Sequence, residues 1–296
     1  MLTTWNQKLQ ESKERIIQIR NNFSIKNKVE NKTKKSNELF DIVIVAHSKD
    51  KDTLKLLLES IQRYIKNVGK IFLVSKEDFI KKKVIHVDER HFEFQKDDAS
   101  TILAQKGCPN YKFGWYYQQL LKLYCCKVIR DLNEYYLILD ADIIFINQVS
   151  FFNKDKPYFS IGKDHHELYF DHMKRLLPGL TKQTEYSGIS HHMLFKKSIL
   201  LELIHRVEMY HKESFWRAFL KCVVFTSNNF CCASEYEIYF NYALKFHPHV
   251  YELRNLKWDN TYESDNKNVI KKKRQGYAFV CRHDYDINDH KSYVIE

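Results

Sequence analysis

The sequence predicts an α/β fold, with a mixed, mostly parallel sheet flanked by helices. Three observations lead there. Phe40 to Ala46 is a short β-branched run of the kind that fills a strand buried on both faces. An amphipathic stretch from Thr53 to Tyr64 and a second apolar run from Lys70 to Ser75 complete a βαβ unit. Further on, a long helical pattern leads into Leu137-Ile138-Leu139, a buried-strand pattern that ends in two acids, Asp140 and Asp142.

The elements follow in order. Residues 1–37 form a polar, lysine-rich extension with a partial helical stripe of Trp5, Leu9, Ile16, Ile17 and Ile19, and residues 38–296 form the remaining domain. After the first strand, His47 to Asp50 is a polar turn. Leu54, Leu57, Leu58 and Ile61 then recur at helical spacing. A third strand is expected near Lys83 to Val87. Trp115 to Leu132 is expected to be a helix, with Leu120, Leu121, Tyr124, Val128 and Leu132 on its apolar side. Short strands such as Tyr158 to Ile161, and helices near Ser198 to Tyr210 and Ser234 to Leu244, complete the pattern.

Composition narrows the class. Hydrophobic residues make up 44%, enough for a real core, and only 7 Gly and 4 Pro argue against a loop-dominated chain. The net charge of +11 favours anionic partners in general, such as nucleotides, phosphorylated sugars, nucleic acid or acidic membranes. The seven cysteines contain no C-x-x-C spacing, so a zinc ribbon is not expected, and they read as reduced, mostly buried thiols. The N-terminus lacks the apolar segment of a signal peptide, and no uncharged apolar run is long enough to span a bilayer. A soluble, cytoplasmic protein is the expectation.

The chemistry concentrates at Asp140-Ala141-Asp142. Aspartates at i and i+2 at a strand end project to one side and offer hard oxygen ligands for Mg²⁺ or Mn²⁺. Such an ion bridges a diphosphate and neutralises charge developing on it. Acids do not close an apolar run unless something pairs with them. Ser234 followed by Glu237 fits a helix-capping box. Gly188 lets backbone approach a ligand, and His191 and His192 are candidates for binding hydroxyls of a ligand.

Together with the runs Asp41 to His47, Gly114 to Lys122, Ser190 to Phe195 and Ser234 to Tyr239, the Leu-Asp-Ala-Asp element resembles the GT-A-fold nucleotide-sugar glycosyltransferases, a Rossmann-like class. The similarity is to a little-characterised branch with an Asp-x-Asp motif and covers roughly residues 38 to 290. The resemblance implies transfer of a sugar from a nucleotide-sugar donor, of UDP type, to an acceptor hydroxyl with Mn²⁺ or Mg²⁺ as cofactor. It implies that Ala46, His47 and Asp50 touch the nucleoside, and that Tyr117, Gln118 and Lys122 lie near the sugar nucleotide. It also implies a general base after the metal strand, Glu235 first and Glu237 second, hence inversion. A C-terminal histidine would join the metal, with His283 the best candidate among His247, His249, His283 and His290. The acceptor, whether glycan, protein or lipid, stays open.

Rival readings are weaker. A nucleic-acid-binding protein has the charge but lacks a recognisable RNA- or DNA-binding signature. A two-metal nuclease or phosphotransferase needs more clustered acids. No G-x-x-x-x-G-K-[ST] is present. A catalytically silent GT-A-like module is opposed by the intact Asp-x-Asp.

Overall fold

The structure, a computed structural model, describes residues 38–80, 83–226, 229–260 and 266–281. The expected N-terminal helix lies outside the described residues, as does His283. A central five-stranded sheet is built from β1 (Phe40–Val45), β2 (Val68–Ser75), β3 (Ile85–Asp88), β4 (Tyr135–Leu139) and a later strand, β8 (His192–Lys196). Its order is β3-β2-β1-β4-β8. The first four strands are parallel, and β8 runs antiparallel to β4.

The pleat explains why these runs are apolar throughout. Successive residues point to opposite faces of the sheet, and both faces are covered. Ile42, Ile44, Leu73, Leu137, Leu139 and Leu194 pack into one core, under helix α1 (Lys51–Tyr64). Val43, Val45, Phe72, Val74, Ile138 and Phe195 pack into a larger core on the other face. That core is roofed by α2 (Lys96–Gln105), α3 (Phe113–Val128), α4 (Glu167–Leu176), α5 (Lys197–His211), α6 (Phe215–Lys221) and α7 (Glu235–Phe246). Helix α7 is buried from Glu235 to Leu244, and α3 is buried almost as completely, as expected of helices with apolar residues all round.

Two small sheets complete the fold. One has the order β10-β11-β5, from β5 (Ile143–Phe145), β10 (Trp258–Asn260) and β11 (Phe279–Cys281). The other has the order β6-β7-β9, from β6 (Phe152–Asn153), β7 (Lys156–Ser160) and β9 (Glu252–Arg254). The remaining helix, α8, spans Asn266–Arg274. No helix among the described residues is long and apolar enough to cross a membrane.

The expected elements are found with shifted ends. Helix α3 starts before Trp115 and stops at Val128, because Ile129 turns extended. The chain beyond it is drawn to the sheet by a buried carboxylate. Asp41 accepts hydrogen bonds from the Lys70 amide (2.7 Å), the Asn133 amide (2.8 Å) and the Asn133 side-chain amide (3.0 Å). It thereby ties β1 to β2 and to the turn that feeds β4. Asp41→Ala would strand these donors, and a loss of about 3 kcal/mol of stability is expected in urea denaturation.

Candidate functional site

The chain winds from β1 outward to β3, then crosses back to β4 on the other side of β1. The crevice at the carboxyl ends of β1 and β4 is therefore a topological switch point, where open α/β sheets bind ligands. Asp140 follows β4 directly. The alternation that sends Tyr136 and Ile138 toward the α3 side carries Asp140 to that side as well.

There Asp140 meets Lys122 of α3. The Lys122 ammonium donates to Asp140 Oδ1 at 2.6 Å and to Glu235 Oε1 at 2.7 Å, and it lies 4.7 Å from the Tyr236 ring centroid. The Tyr236 hydroxyl donates to the same Asp140 oxygen at 2.9 Å. The Glu235 amide donates to the Gln119 side chain at 3.1 Å, which locks the start of α7 against α3. Burial pushes the Lys122 pKa down, but Asp140 and Glu235 outweigh it and hold the ammonium well above its ordinary value. Burial likewise raises the Asp140 pKa, and Lys122 with His191 more than reverses this, leaving the carboxyl well below the usual carboxylate range.

His191 completes the group. Its carbonyl accepts the Asp140 amide at 3.0 Å, and its Nδ1 stands 3.4 Å from Asp140 Oδ2. The backbone there is left-handed, with φ 61°, a conformation costly for a residue with a side chain. The ring packs edge-on against Trp258 at 4.6 Å. Donor atoms of Asp140, Asp142 and His191 all lie within 4.8 Å of one another. Two carboxylates and an imidazole are a fitting set for a Mg²⁺- or Mn²⁺-sized ion.

The other residues singled out in the sequence divide into two sets. Ala46 directly follows β1, its amide bonded to the Val74 carbonyl at 3.1 Å. His47 and Asp50 shape the turn that follows. Asp50 accepts the His47 amide at 2.9 Å, and His47 Nδ1 accepts the Lys49 amide at 3.3 Å. Gln118 is half-buried on α3. Tyr117 is buried edge-on against Phe94 at 6.0 Å, and its hydroxyl makes no hydrogen bond among the described residues.

Three expectations are corrected. Glu237 does not face the crevice. It is buried and accepts from Ser187 Oγ (2.5 Å), the Gly188 amide (3.2 Å) and Asn241 (2.9 Å), so it holds the loop before β8. Ser234 caps its amide at 3.3 Å, but its carboxylate is turned to the loop. Gly188 is buried under α7, where a Cβ would come within 2.6 Å of Phe240, so packing accounts for the glycine. His192 is buried beneath the sheet, bonded to Ser160 Oγ at 2.9 Å, and burial pushes its pKa down to about 3. It is closed to an acceptor. Of the rival histidines, His247 is committed to Glu202 at 2.8 Å. Sequence reasoning missed Tyr236, Gln119 and Trp258. Only Tyr236 had a signal, its place between the two glutamates.

Lys122→Met would bury two carboxylates without their cation. A loss of about 3–5 kcal/mol is expected near neutral pH. Without its cation, Asp140 would be left with the burial that raises its pKa, so the penalty is full above the raised pKa and lifts as pH falls. Urea denaturation across pH reads both effects.

Against known proteins, a search of curated sequences finds no match. Among solved structures, the chain is similar to the crystal structure of an active-site mutant of LgtC, at 12% identity and a TM-score of 0.44, covering 82% of this chain and 87% of that one. The model of a family of unknown function, DUF6492, matches residues 40–279, and the chain belongs to that family.

Proposed function

We propose that the protein is a divalent-metal-dependent glycosyltransferase that moves a sugar from a nucleotide-sugar donor, of UDP type, to an acceptor hydroxyl. The observation that carries this reading is the convergence of Asp140, Asp142 and His191 at the switch-point crevice. The sequence resemblance to GT-A enzymes supports it, as does the place of the group at the carboxyl end of a central strand.

In this reading Asp140 Oδ2, Asp142 and His191 Nδ1 hold the ion, and His191 takes the ligand position that His283 was expected to fill. The chemistry supplied by a bound Mn²⁺ or Mg²⁺ is neutralisation of charge on the departing nucleotide diphosphate. Lys122 pins Asp140 through Oδ1, so the carboxylate presents its other oxygen without rotating. Ala46, His47 and Asp50 line the nucleoside end, with Tyr117 and Gln118 on the helix beside it. Glu235 is the base candidate. One of its oxygens is bound to Lys122, and it serves as base by directing its carboxylate to an acceptor hydroxyl once that group is seated. Inversion of the anomeric centre follows from that role.

A donor-hydrolysis screen over UDP- and GDP-sugars, with and without Mn²⁺, tests the proposal. Metal-dependent release of UDP is expected, and no release from any donor would refute the reading. Asp142→Ala is expected to abolish transfer while its unfolding midpoint stays close to that of the wild type; unchanged turnover would end the metal assignment. His191→Gly relaxes the left-handed backbone, worth about 1 kcal/mol, but removes a ligand. It should fold at least as well as the wild type and need at least about tenfold more Mn²⁺ for half-maximal activity.

A further inference from the structure

Trp258 belongs to no motif legible in the sequence, yet its indole meets the His191 imidazole edge to face, at 4.6 Å and 82°. The small sheet β10-β11-β5 puts it there. In register across that sheet, Trp258 pairs with Phe279, and Phe279 pairs with Phe145. Directly opposed residues share one face of a sheet, so the three rings form a row. The Phe145 and Phe279 rings are 5.8 Å apart, and the Trp258 ring lies parallel to Phe279 at 5.9 Å.

This row connects two members of the metal group. Asp142 leads directly into β5, which starts at Ile143. At the other end of the row stands His191, and Phe279 also meets the ring of His192, at 5.3 Å. Two consecutive histidines thus rest against one stacked pair of rings. The sheet itself is anchored at both sides. The Lys257 carbonyl accepts the Ala278 amide at 2.7 Å, and the Ala278 carbonyl accepts the Ile146 amide at 2.9 Å. Asp259, next to Trp258, pairs with Lys272 of α8 at 2.9 Å.

We propose that Trp258 is a positioning residue for the divalent ion: its ring holds the His191 imidazole turned toward Asp140, so the ligand set is formed before the ion arrives. The inference rests on the metal reading given above. His191 Nδ1 stands 3.4 Å from Asp140 Oδ2, which is long for a hydrogen bond and holds the imidazole only weakly. A ligand that must be oriented as the ion binds loses side-chain freedom at that moment, and the site is weaker for it. An edge-to-face ring contact fixes the orientation beforehand. Trp258 offers no ligand atom of its own, because its indole nitrogen is a donor only, so it acts through His191.

The test is titration of the full chain with Mn²⁺, reading the free ion by electron paramagnetic resonance, so that no turnover is needed. Trp258→Phe keeps a ring, whereas Trp258→Leu keeps apolar bulk without one. The Phe variant is expected to bind Mn²⁺ within about twofold of the wild type, and the Leu variant about tenfold more weakly. Urea unfolding without metal reads packing separately. A lower unfolding midpoint with unchanged Mn²⁺ affinity in the Leu variant would make Trp258 a packing residue and overturn the proposal. Equal losses of affinity in both variants would overturn it too, since the ring would then not matter. Absence of Mn²⁺ binding by the wild type would overturn the metal reading, and this proposal with it.

Discussion

The ammonium of Lys122 is the point where the two halves of the site are joined. It is buried on the central helix and reaches one carboxylate from the end of the sheet and another from the first turn of α7. Burying a charge is costly, and here two charge-assisted hydrogen bonds and the face of Tyr236 offset the cost. The bond leaves Asp140 ionised, with Oδ1 held by Lys122 and Tyr236 and Oδ2 turned to His191. A neutral side chain of the same size would leave two acids facing each other without their cation, a situation that favours protonation.

The antiparallel strand β8 is the second constraint. Because β8 runs against β4, the loop entering β8 lies beside the loop leaving β4, and Leu139 is paired with His192. That arrangement sets His191 next to Asp140, with its carbonyl on the Asp140 amide and its backbone turned left-handed. Glu237 supports the same loop from behind through Ser187 and Gly188. The two glutamates of α7, one residue apart from each other across Tyr236, thus serve opposite sides of the helix. Glu235 serves the charge cluster, and Glu237 the loop that carries His191.

Much of this was legible in the residues. The β-branched runs of β1, β2 and β4 and the stripe of α1 announce the βαβ core, since a strand buried on both faces has no room for alternation. Asp140 and Asp142 stand out because acids at the end of an apolar run require partners. The roles of His191, His192 and Gly188 were not legible. Neighbouring residues in a strand point to opposite faces, and which face is open depends on what packs there. His192 proved to be covered by Phe151 and Phe279, at ring separations of 5.5 and 5.3 Å, while His191 reached the acids. Gly188 is read equally well as a ligand approach or as a packing contact until Phe240 is seen above it.

By itself, then, the amino-acid order determined the local elements, the two-sided core and the acidic pair, because hydrophobic period and strand-end polarity act between residues close in the chain. Only the tertiary structure decided which groups those acids face. Lys122 lies 18 positions from Asp140, and Glu235 lies 113 positions from Lys122. Contacts of that span are set by sheet order and helix packing, so the partner of a charge, and with it the chemistry the charge can perform, emerges only when the layers are assembled.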